Sequence, residues 1–301
     1  MSSFKFLNWL IFVLLCLIWG SSFILMKLGL YNQLGNPLLS PYQVAALRVL
    51  SAGIVLAPVT IFQWQKTSQA QKGFMVLSGL LGNFFAAFLF CIAETKIDSA
   101  LAGTLNALTP IFVIITGAII FKQQVAKQKI VGVAIGLIGS MALFFTSNHH
   151  SLGDLSYVFL VVLATIFYGI NINMVKQKLN GISPTFIASF AFTSLIIPSA
   201  AILYSTGFFS LPLSNSSYLK GTAAACVLGV IGTAIAAILL YKLVNRAGGV
   251  FASLVAYGIP FVAMAWSKWY GENPTLGEVL SLFIVLGGVY LANRNKKPIG
   301  Q

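Results

Sequence analysis

Polar and aromatic side chains recur at matched positions inside the long apolar runs of this chain. A shift of the sequence against itself by about 150 residues pairs Trp19 with Tyr168, Ser22 with Asn171, Asn83 with Thr233 and Pro110 with Pro260. An unpaired polar group in hydrocarbon costs several kcal/mol, so each of these side chains must face a cavity or a partner. Indole, phenol, hydroxyl and amide groups among apolar neighbours are typical of a site that binds a small organic molecule.

The matched positions, together with polar residues near the two prolines, form a candidate binding site. Trp19 and Ser22 share one helical face, and Asn106 and Thr109 come just before Pro110. We predict that substrate is bound by Trp19, Ser22, Asn83, Asn106, Thr109, Tyr168, Asn171, Thr233, Ser253 and Tyr257. The alternative is that each Asn, Ser or Thr only bonds a neighbouring helix, a contact worth about 0.6 kcal/mol. Recurrence in both halves favours the cavity.

Arg48 is the basic residue deepest in an apolar run. It lies seven residues after Pro41, roughly 10 Å into a helix at about 1.5 Å per residue. It must either extend to the membrane surface or find a partner in the interior. Two roles are open for Arg48: it attracts an anionic group of the substrate, or it orients its own helix. Pro110 and Pro260 each remove one helical hydrogen bond, which predicts a kink that acts as a hinge or as a static bend.

The composition shows that lipid is the solvent of these residues. Hydrophobic residues make up 58% of the 301 residues and charged residues only 8%, against about 25% in soluble domains. The net charge of +13 comes from basic residues scattered over short loops, so no basic face for nucleic acid is predicted. The three cysteines are far apart and form no CxxC pair. No metal site and no cofactor is expected.

Ten apolar runs are long enough to cross a bilayer as helices, which takes about 20 residues. They lie near residues 7–28, 41–63, 73–94, 99–121, 129–146, 155–175, 185–205, 219–241, 249–268 and 277–293. Thirteen loop lysines and arginines fall on the side of the termini and four on the opposite side. Because positive charge accumulates in the cytoplasm, we expect a multi-pass protein of the cell inner (plasma) membrane with both termini cytoplasmic.

The internal shift divides the chain into two repeats, residues 1–147 and 148–301. Each repeat contains five runs, and an odd number forces the second repeat to start on the opposite side of the membrane. The predicted fold class is therefore an all-α integral membrane protein of ten transmembrane helices arranged as two inverted five-helix repeats. Repeats of this kind are typical of transporters that bind substrate near the midplane between the two halves.

Several short motifs resemble the drug/metabolite transporter superfamily and, within it, the EamA-type ten-helix permeases. They are Trp19-Gly20-Ser21-Ser22-Phe23 leading to Lys27, Ala46-Leu47-Arg48-Val49-Leu50, Leu108-Thr109-Pro110 and Tyr270-Gly271-Glu272. Where the family usually has Gly-Glu after the fourth helix, this chain has Phe121-Lys122. The resemblance covers about residues 8 to 294. It implies a metabolite or amino-acid permease, often an exporter.

The sequence favours transport over catalysis. No Asp or His lies inside an apolar run and no ATP-binding loop is present, so no catalytic residue is proposed. Among the five acidic residues, only Glu94 can reach inward; Asp98, Asp154, Glu272 and Glu278 lie at run ends or in loops. Facilitated or exchange transport is therefore expected rather than proton coupling through a buried carboxylate. The prediction is a carrier of a small organic metabolite; the alternative is a non-transporting subunit or a lipid-handling protein on the same bundle.

Overall fold

The computed structural model describes residues 3–32, 34–63, 67–97, 99–146, 155–269 and 275–293. Asp98, Asp154 and Glu272 lie outside these ranges. The described chain is helical, and its only β-type pairing is one isolated bridge between Tyr31 and Pro37. An apolar segment in lipid has no water to satisfy its backbone, and a helix satisfies each N–H and C=O within the segment itself.

The described part of the first half contains seven α-helices. A π-helical turn, Leu80–Phe84, joins α3 to α4 without a break. The helices are α1 (Ser3–Leu30), α2 (Pro41–Gln63), α3 (Gln69–Gly79), α4 (Phe85–Ala93), α5 (Ser99–Asn106), α6 (Thr109–Ile119) and α7 (Lys127–Thr146).

Among the residues described in the second half there are eight α-helices and a second π-helical turn, Val230–Ile235, between α11 and α12. A short 3-10 helix, Phe208–Ser210, precedes α11. The helices are α8 (Leu155–Lys178), α9 (Pro184–Thr193), α10 (Ile196–Ser205), α11 (Ser216–Gly229), α12 (Ala236–Ala247), α13 (Gly249–Ser253), α14 (Val255–Trp269) and α15 (Leu276–Asn293).

Six helices of the described chain are long and apolar enough to cross a bilayer, and they coincide with six of the ten predicted runs. They are Lys5–Leu30, Pro41–Phe62, Gln69–Ala93, Leu155–Lys178, Pro184–Ser205 and Ser216–Ala247. The other four runs are also helical: α5 with α6, α7, α13 with α14, and α15. Large apolar side chains such as Phe62, Ile119 and Ile197 are exposed on the outside of the bundle, as a lipid-facing surface requires.

The π-helical turns fall at matched places in the two halves, whereas the later helix interruptions do not. The π-helical turns begin at Leu80 and Val230, which are 150 residues apart. A break just before Pro110 separates α5 from α6, because proline donates no backbone hydrogen bond and crowds the preceding residue. In the second half the interruption is at Leu254, and α14 continues through Pro260. Whether either proline acts as a hinge stays a prediction.

Glycines let the two halves approach closely, and their contacts are also matched. A Cβ at Gly79 would lie 2.8 Å from the carbonyl oxygen of Ala191 in α9. A Cβ at Gly229 would collide with the carbonyl oxygen of Arg48 in α2. Because Pro41 opens α2 and Pro184 opens α9, Arg48 and Ala191 occupy equivalent places in their helices. Helices of one half therefore pack backbone to backbone against helices of the other.

Candidate functional site

A cavity of about 90 Å³ lies between the halves of the bundle. One water needs about 10–15 Å³ of such volume, so the cavity has room for roughly six to nine waters. That is the size of a small metabolite. Nine of the ten predicted binding residues line it: Trp19, Ser22, Asn83, Asn106, Thr109, Tyr168, Asn171, Thr233 and Ser253. Arg48 also lines it. Their role in binding substrate stays a prediction.

Aromatic rings form one wall of the cavity. Phe90 stacks on Tyr168 with ring centroids 6.1 Å apart, and Phe23 meets Phe90 edge to face at 6.5 Å. The indole nitrogen of Trp19 donates a 3.0 Å hydrogen bond to the carbonyl oxygen of Gly232, in the second π-helical turn. This bond holds the Trp19 ring in place and joins α1 to the second half. The wall can pack against an apolar or aromatic group of a ligand.

The hydroxyl of Tyr241, in α12, connects polar residues of α3, of the first π-helical turn and of α8. It lies 3.0 Å from the Ser78 hydroxyl and accepts hydrogen bonds from the amides of Asn83, at 3.3 Å, and Asn171, at 3.4 Å. Ser78 also donates a 2.6 Å bond to the amide oxygen of Asn171. The Asn171 side chain is seated against Gly82, where a Cβ would collide with its amide. This network fixes the two predicted asparagines in position.

Tyr241 and Phe90 line the cavity but were missed as binding residues in the sequence. Tyr241 follows Thr233 by eight residues, and Ala237 and Leu240 between them line the cavity too. The helical spacing i, i+4, i+7, i+8 from Thr233 therefore contained the signal for Tyr241. Nothing in the sequence distinguished Phe90 from the other phenylalanines of the chain.

The hydroxyl groups of the lining are mostly bonded within their own helices. Ser22 donates to the carbonyl oxygen of Ile18 at 2.8 Å, and Ser253 donates to that of Val250 at 2.8 Å. Thr109 donates to the amide oxygen of Asn106 at 3.2 Å. These bonds satisfy the hydroxyl protons locally. Such side chains add polarity to the wall and leave oxygen lone pairs for a ligand.

Arg48 is directed to the interior and does not extend to the membrane surface. Its Nε donates a 2.6 Å hydrogen bond to the hydroxyl of Thr233. That hydroxyl donates in turn to the carbonyl oxygen of Leu228 at 3.1 Å, five residues earlier across the start of the π-helical turn. The guanidinium is thus oriented by a residue of the second half. Ala191, at the equivalent place in α9, offers no such group, so the charge is present in one half only.

Tyr257 differs from the other predicted binding residues because it lies outside the cavity. It is fully buried, and its hydroxyl donates a 2.7 Å hydrogen bond to the carbonyl oxygen of Val133 in α7. Its ring packs where a Cβ at Gly136 would collide with it. The interruption at Leu254 sets the rotation of α14, and Ala256 and Ile259 reach the cavity instead. Spacing from Pro260 did not reveal this rotation.

We expect Tyr257→Phe to lower stability without changing ligand binding. The substitution removes one buried hydrogen bond, so the free energy of unfolding should fall by about 1 kcal/mol. Thermal unfolding in detergent measures the change, and ligand affinity per folded protein should equal that of the wild type. A large loss of affinity at unchanged stability would show that Tyr257 acts in the site after all.

Glu94, the acidic residue expected to reach inward, is only 3% exposed. It caps the C-terminal end of α4. It is not among the described residues that line the cavity. A buried carboxylate is therefore present in the bundle, but it does not line the cavity.

Comparisons with known proteins agree on the family. A sequence profile described as the EamA-like transporter family matches residues 7–145 and 155–294. An uncharacterized transporter of Archaeoglobus fulgidus is 25% identical over 96% of this chain and 99% of its own length. A probable amino-acid metabolite efflux pump of Salmonella typhimurium is 25% identical over 64% of this chain and 62% of its own.

The same fold is present in a solved crystal structure that is 16% identical, with a TM-score of 0.68. The match covers 94% of this chain and 95% of that one. The described helices, the exposed apolar surface and the matched family together identify a multi-pass membrane transporter rather than an enzyme. The chain belongs to the EamA-like transporter family, within the drug/metabolite transporter superfamily.

Proposed function

We propose that this protein carries a small organic metabolite across the cell inner membrane by alternating access. The ten apolar runs form ten transmembrane helices in two inverted repeats, residues 1–147 and 148–301, and the substrate occupies the cavity between them. The observation that carries this proposal is the lining of the cavity by sequence-equivalent residues of both halves, such as Ser22 with Asn171 and Trp19 with Tyr168. The two profile matches, one in each half, support the same division.

Both termini lie in the cytoplasm in this proposal, because thirteen loop cations fall on their side and four on the other. The side of the bundle on which α1 begins, here called the N-terminal side, is therefore the cytoplasmic side. The end of α12 lies there as well, since Arg246 bonds to Asn8 near the start of α1. The end of α8 lies beside it, since Lys176 Nζ donates to the carbonyl oxygen of Asn245 at 3.2 Å.

Contacts between the halves close the N-terminal side. The ring of Phe251 packs 5.5 Å from the rings of both Trp9 and Phe12, and Trp9 meets Phe12 at 5.4 Å. Nearby, Arg246 donates a 2.8 Å hydrogen bond to the amide oxygen of Asn8. Substrate cannot pass between α1 and α13 while these contacts hold. Access from the cytoplasm requires their separation.

A second tie on the same side joins α8 to α6. The amide nitrogen of Asn173 donates to the carbonyl oxygen of Val113 at 2.8 Å and to the hydroxyl of Thr116 at 3.0 Å. Its amide oxygen accepts a 3.0 Å bond from Gln123. Helix α13, which carries Phe251 of the aromatic cluster, also contacts both α6 and α8. We propose that the two ties open together when the carrier changes its access.

An amino acid or a related compound, moved outward, is the substrate class that we propose. The similarity to an amino-acid metabolite efflux pump supports it, and so does the cavity, which combines an aromatic wall with amide and hydroxyl groups. Sites of this composition hold small molecules that carry an apolar part and a few polar atoms.

Counterflow in proteoliposomes tests the proposal. The purified protein should exchange at least one labelled compound from a panel of amino acids and small metabolites when no pH gradient is applied. Protein-free liposomes give the background rate. Exchange by no compound, from protein that is folded by size-exclusion chromatography, would support the alternative of a non-transporting membrane subunit or a lipid-handling protein.

A further inference from the structure

We propose that Arg48 is the anchor for a carboxylate and that the cavity therefore takes an organic monoanion: one carboxylate on an apolar or aromatic body, with no ammonium required. This proposal rests on the cavity being the substrate site of the proposed carrier. It goes further by assigning the charge of the ligand and the residue that reads it.

The charge balance of the cavity favours an anionic ligand. Arg48 is the one charged residue among the described residues that line it; the rest are aromatic, aliphatic, amide, hydroxyl or glycine. A guanidinium in a low-dielectric interior is costly unless an anion accompanies it. Within the described residues its hydrogen-bond partner is a neutral hydroxyl, that of Thr233. A monoanionic ligand brings the charge of the occupied cavity to zero.

The geometry of the guanidinium suits a carboxylate. The bond from Nε to Thr233 leaves both terminal nitrogens without a hydrogen-bond partner among the described residues. Two parallel N–H groups match the two oxygens of a carboxylate, which is the arrangement that arginine binds best. The amide nitrogen of Asn106 and the hydroxyl of Tyr168 line the same cavity and are likewise not engaged within the described chain. These three groups can all donate hydrogen bonds to an anion.

The other lining residues indicate what the rest of the ligand is. Phe23, Phe90 and Met26 line the cavity and provide apolar contact for a ring or an alkyl chain. An ammonium group would need an acidic partner to be bound as strongly as the carboxylate, and none of the described lining residues is acidic. A zwitterion would also bring no net charge to balance the one charged side chain of the described lining. A carboxylic acid should therefore bind at least as well as the corresponding amino acid.

The ligand charge also determines what drives transport. A monoanion crossing a membrane with a potential of 100 mV, negative inside, is driven outward by about 2.3 kcal/mol, which is roughly a 50-fold concentration ratio. Export of a monoanion thus needs no proton relay in the membrane. Phenylacetate, a monoanion with one carboxylate on an aromatic body, serves as the probe. In proteoliposomes, a potassium diffusion potential that is negative inside should accelerate its efflux. Efflux that is indifferent to the potential would overturn the assignment of a net negative ligand.

Binding to the purified protein tests the anchor independently of transport. The probes are phenylacetate, L-phenylalanine and phenylacetamide, which share one ring and differ in charge. We expect phenylacetate to bind in calorimetry at least as tightly as L-phenylalanine and at least about 10-fold more tightly than phenylacetamide, because the amide loses the charge-assisted pair. Any of three results would overturn the proposal. They are equal binding of acid and amide, binding of L-phenylalanine about 10-fold tighter than that of phenylacetate, and no measurable binding of phenylacetate.

Variants of Arg48 complete the test. Arg48→Gln should weaken phenylacetate at least about 10-fold and remove the preference for acid over amide, whereas Arg48→Lys should keep part of that preference. Lys27→Gln is the matched control, since it removes the same charge from an exposed position of α1. Thermal unfolding identifies any variant that fails to fold. An Arg48→Gln protein that folds and still prefers the acid would refute the anchor, whereas failed counterflow with intact acid-selective binding would refute only the carrier.

Discussion

Simultaneous replacement of Asn83 and Asn171 by leucine should abolish transport while the protein still folds. Both side chains line the cavity, and both are held by the Tyr241 hydroxyl. The loss of two amide contacts to a ligand, at about 1–1.5 kcal/mol each, predicts a rate at least roughly 30-fold lower. The leucine side chains also make the lining apolar where the substrate needs polar partners. The initial rate of counterflow in proteoliposomes measures the effect.

Folding of this double variant is expected because part of the network survives. Ser78 and Tyr241 remain 3.0 Å apart and can bond to each other. Asn36→Leu is the control, since this side chain is exposed in the turn after α1. Expression and size-exclusion profiles of all variants should match the wild type. Counterflow at the wild-type rate by the double variant would mean that the substrate does not use this cavity.

Gly229→Ala should destabilise the bundle and disturb the position of Arg48. A Cβ at Gly229 would collide with the hydroxyl of Ser51 and with the carbonyl oxygen of Arg48, both in α2. The backbone of α2 must then move away from α11, at a cost of about 1–3 kcal/mol in the free energy of unfolding. We also expect acid-selective binding to weaken. A shift of α2 displaces Arg48 from Thr233, whose hydroxyl orients the guanidinium through the 2.6 Å hydrogen bond. Thermal unfolding and ligand calorimetry measure the two effects.

Gly73→Ala provides the control for the glycine substitution. Gly73 lies inside α3, and a Cβ there would meet no atom within 4 Å. Alanine in a helix is favoured over glycine by about 0.5–1 kcal/mol, so stability should stay equal or rise slightly. If Gly229→Ala unfolds at the same temperature as Gly73→Ala, the close contact between α11 and α2 is not a determinant of stability.

The sequence identified most of the cavity because the relevant constraints are local. Polar side chains in apolar runs are rare and must face inward, and helical spacing decides which of them share a face. Trp19 with Ser22 and Tyr168 with Asn171 follow this rule, and all four line the cavity. The internal shift added a second, independent signal, because it paired polar positions in the two halves. The pattern of one helix alone does not distinguish such positions from residues that only pack against a neighbouring helix.

The rotation of the interrupted helices was not predictable in the same way. A π-helical turn inserts one residue and rotates everything after it, and a break such as that at Leu254 changes the face again. Tyr257 was assigned to the cavity by its distance from Pro260, but the structure turns it towards α7. Tyr241 was overlooked, although it is the residue to which Ser78, Asn83 and Asn171 are bonded.

The sequence by itself determined the lipid environment, the helical class, the two related halves and nine residues of the cavity, because hydropathy and helical period act over a few turns. The tertiary structure alone decided that Arg48 faces the cavity rather than the membrane surface, a choice that its depth in the helix left open. Its partner Thr233 is 185 residues away and lies in a π-helical turn, where Thr233 bonds Leu228. Contacts of that kind depend on how two helices are rotated against each other, and the packing of the whole bundle fixes that rotation.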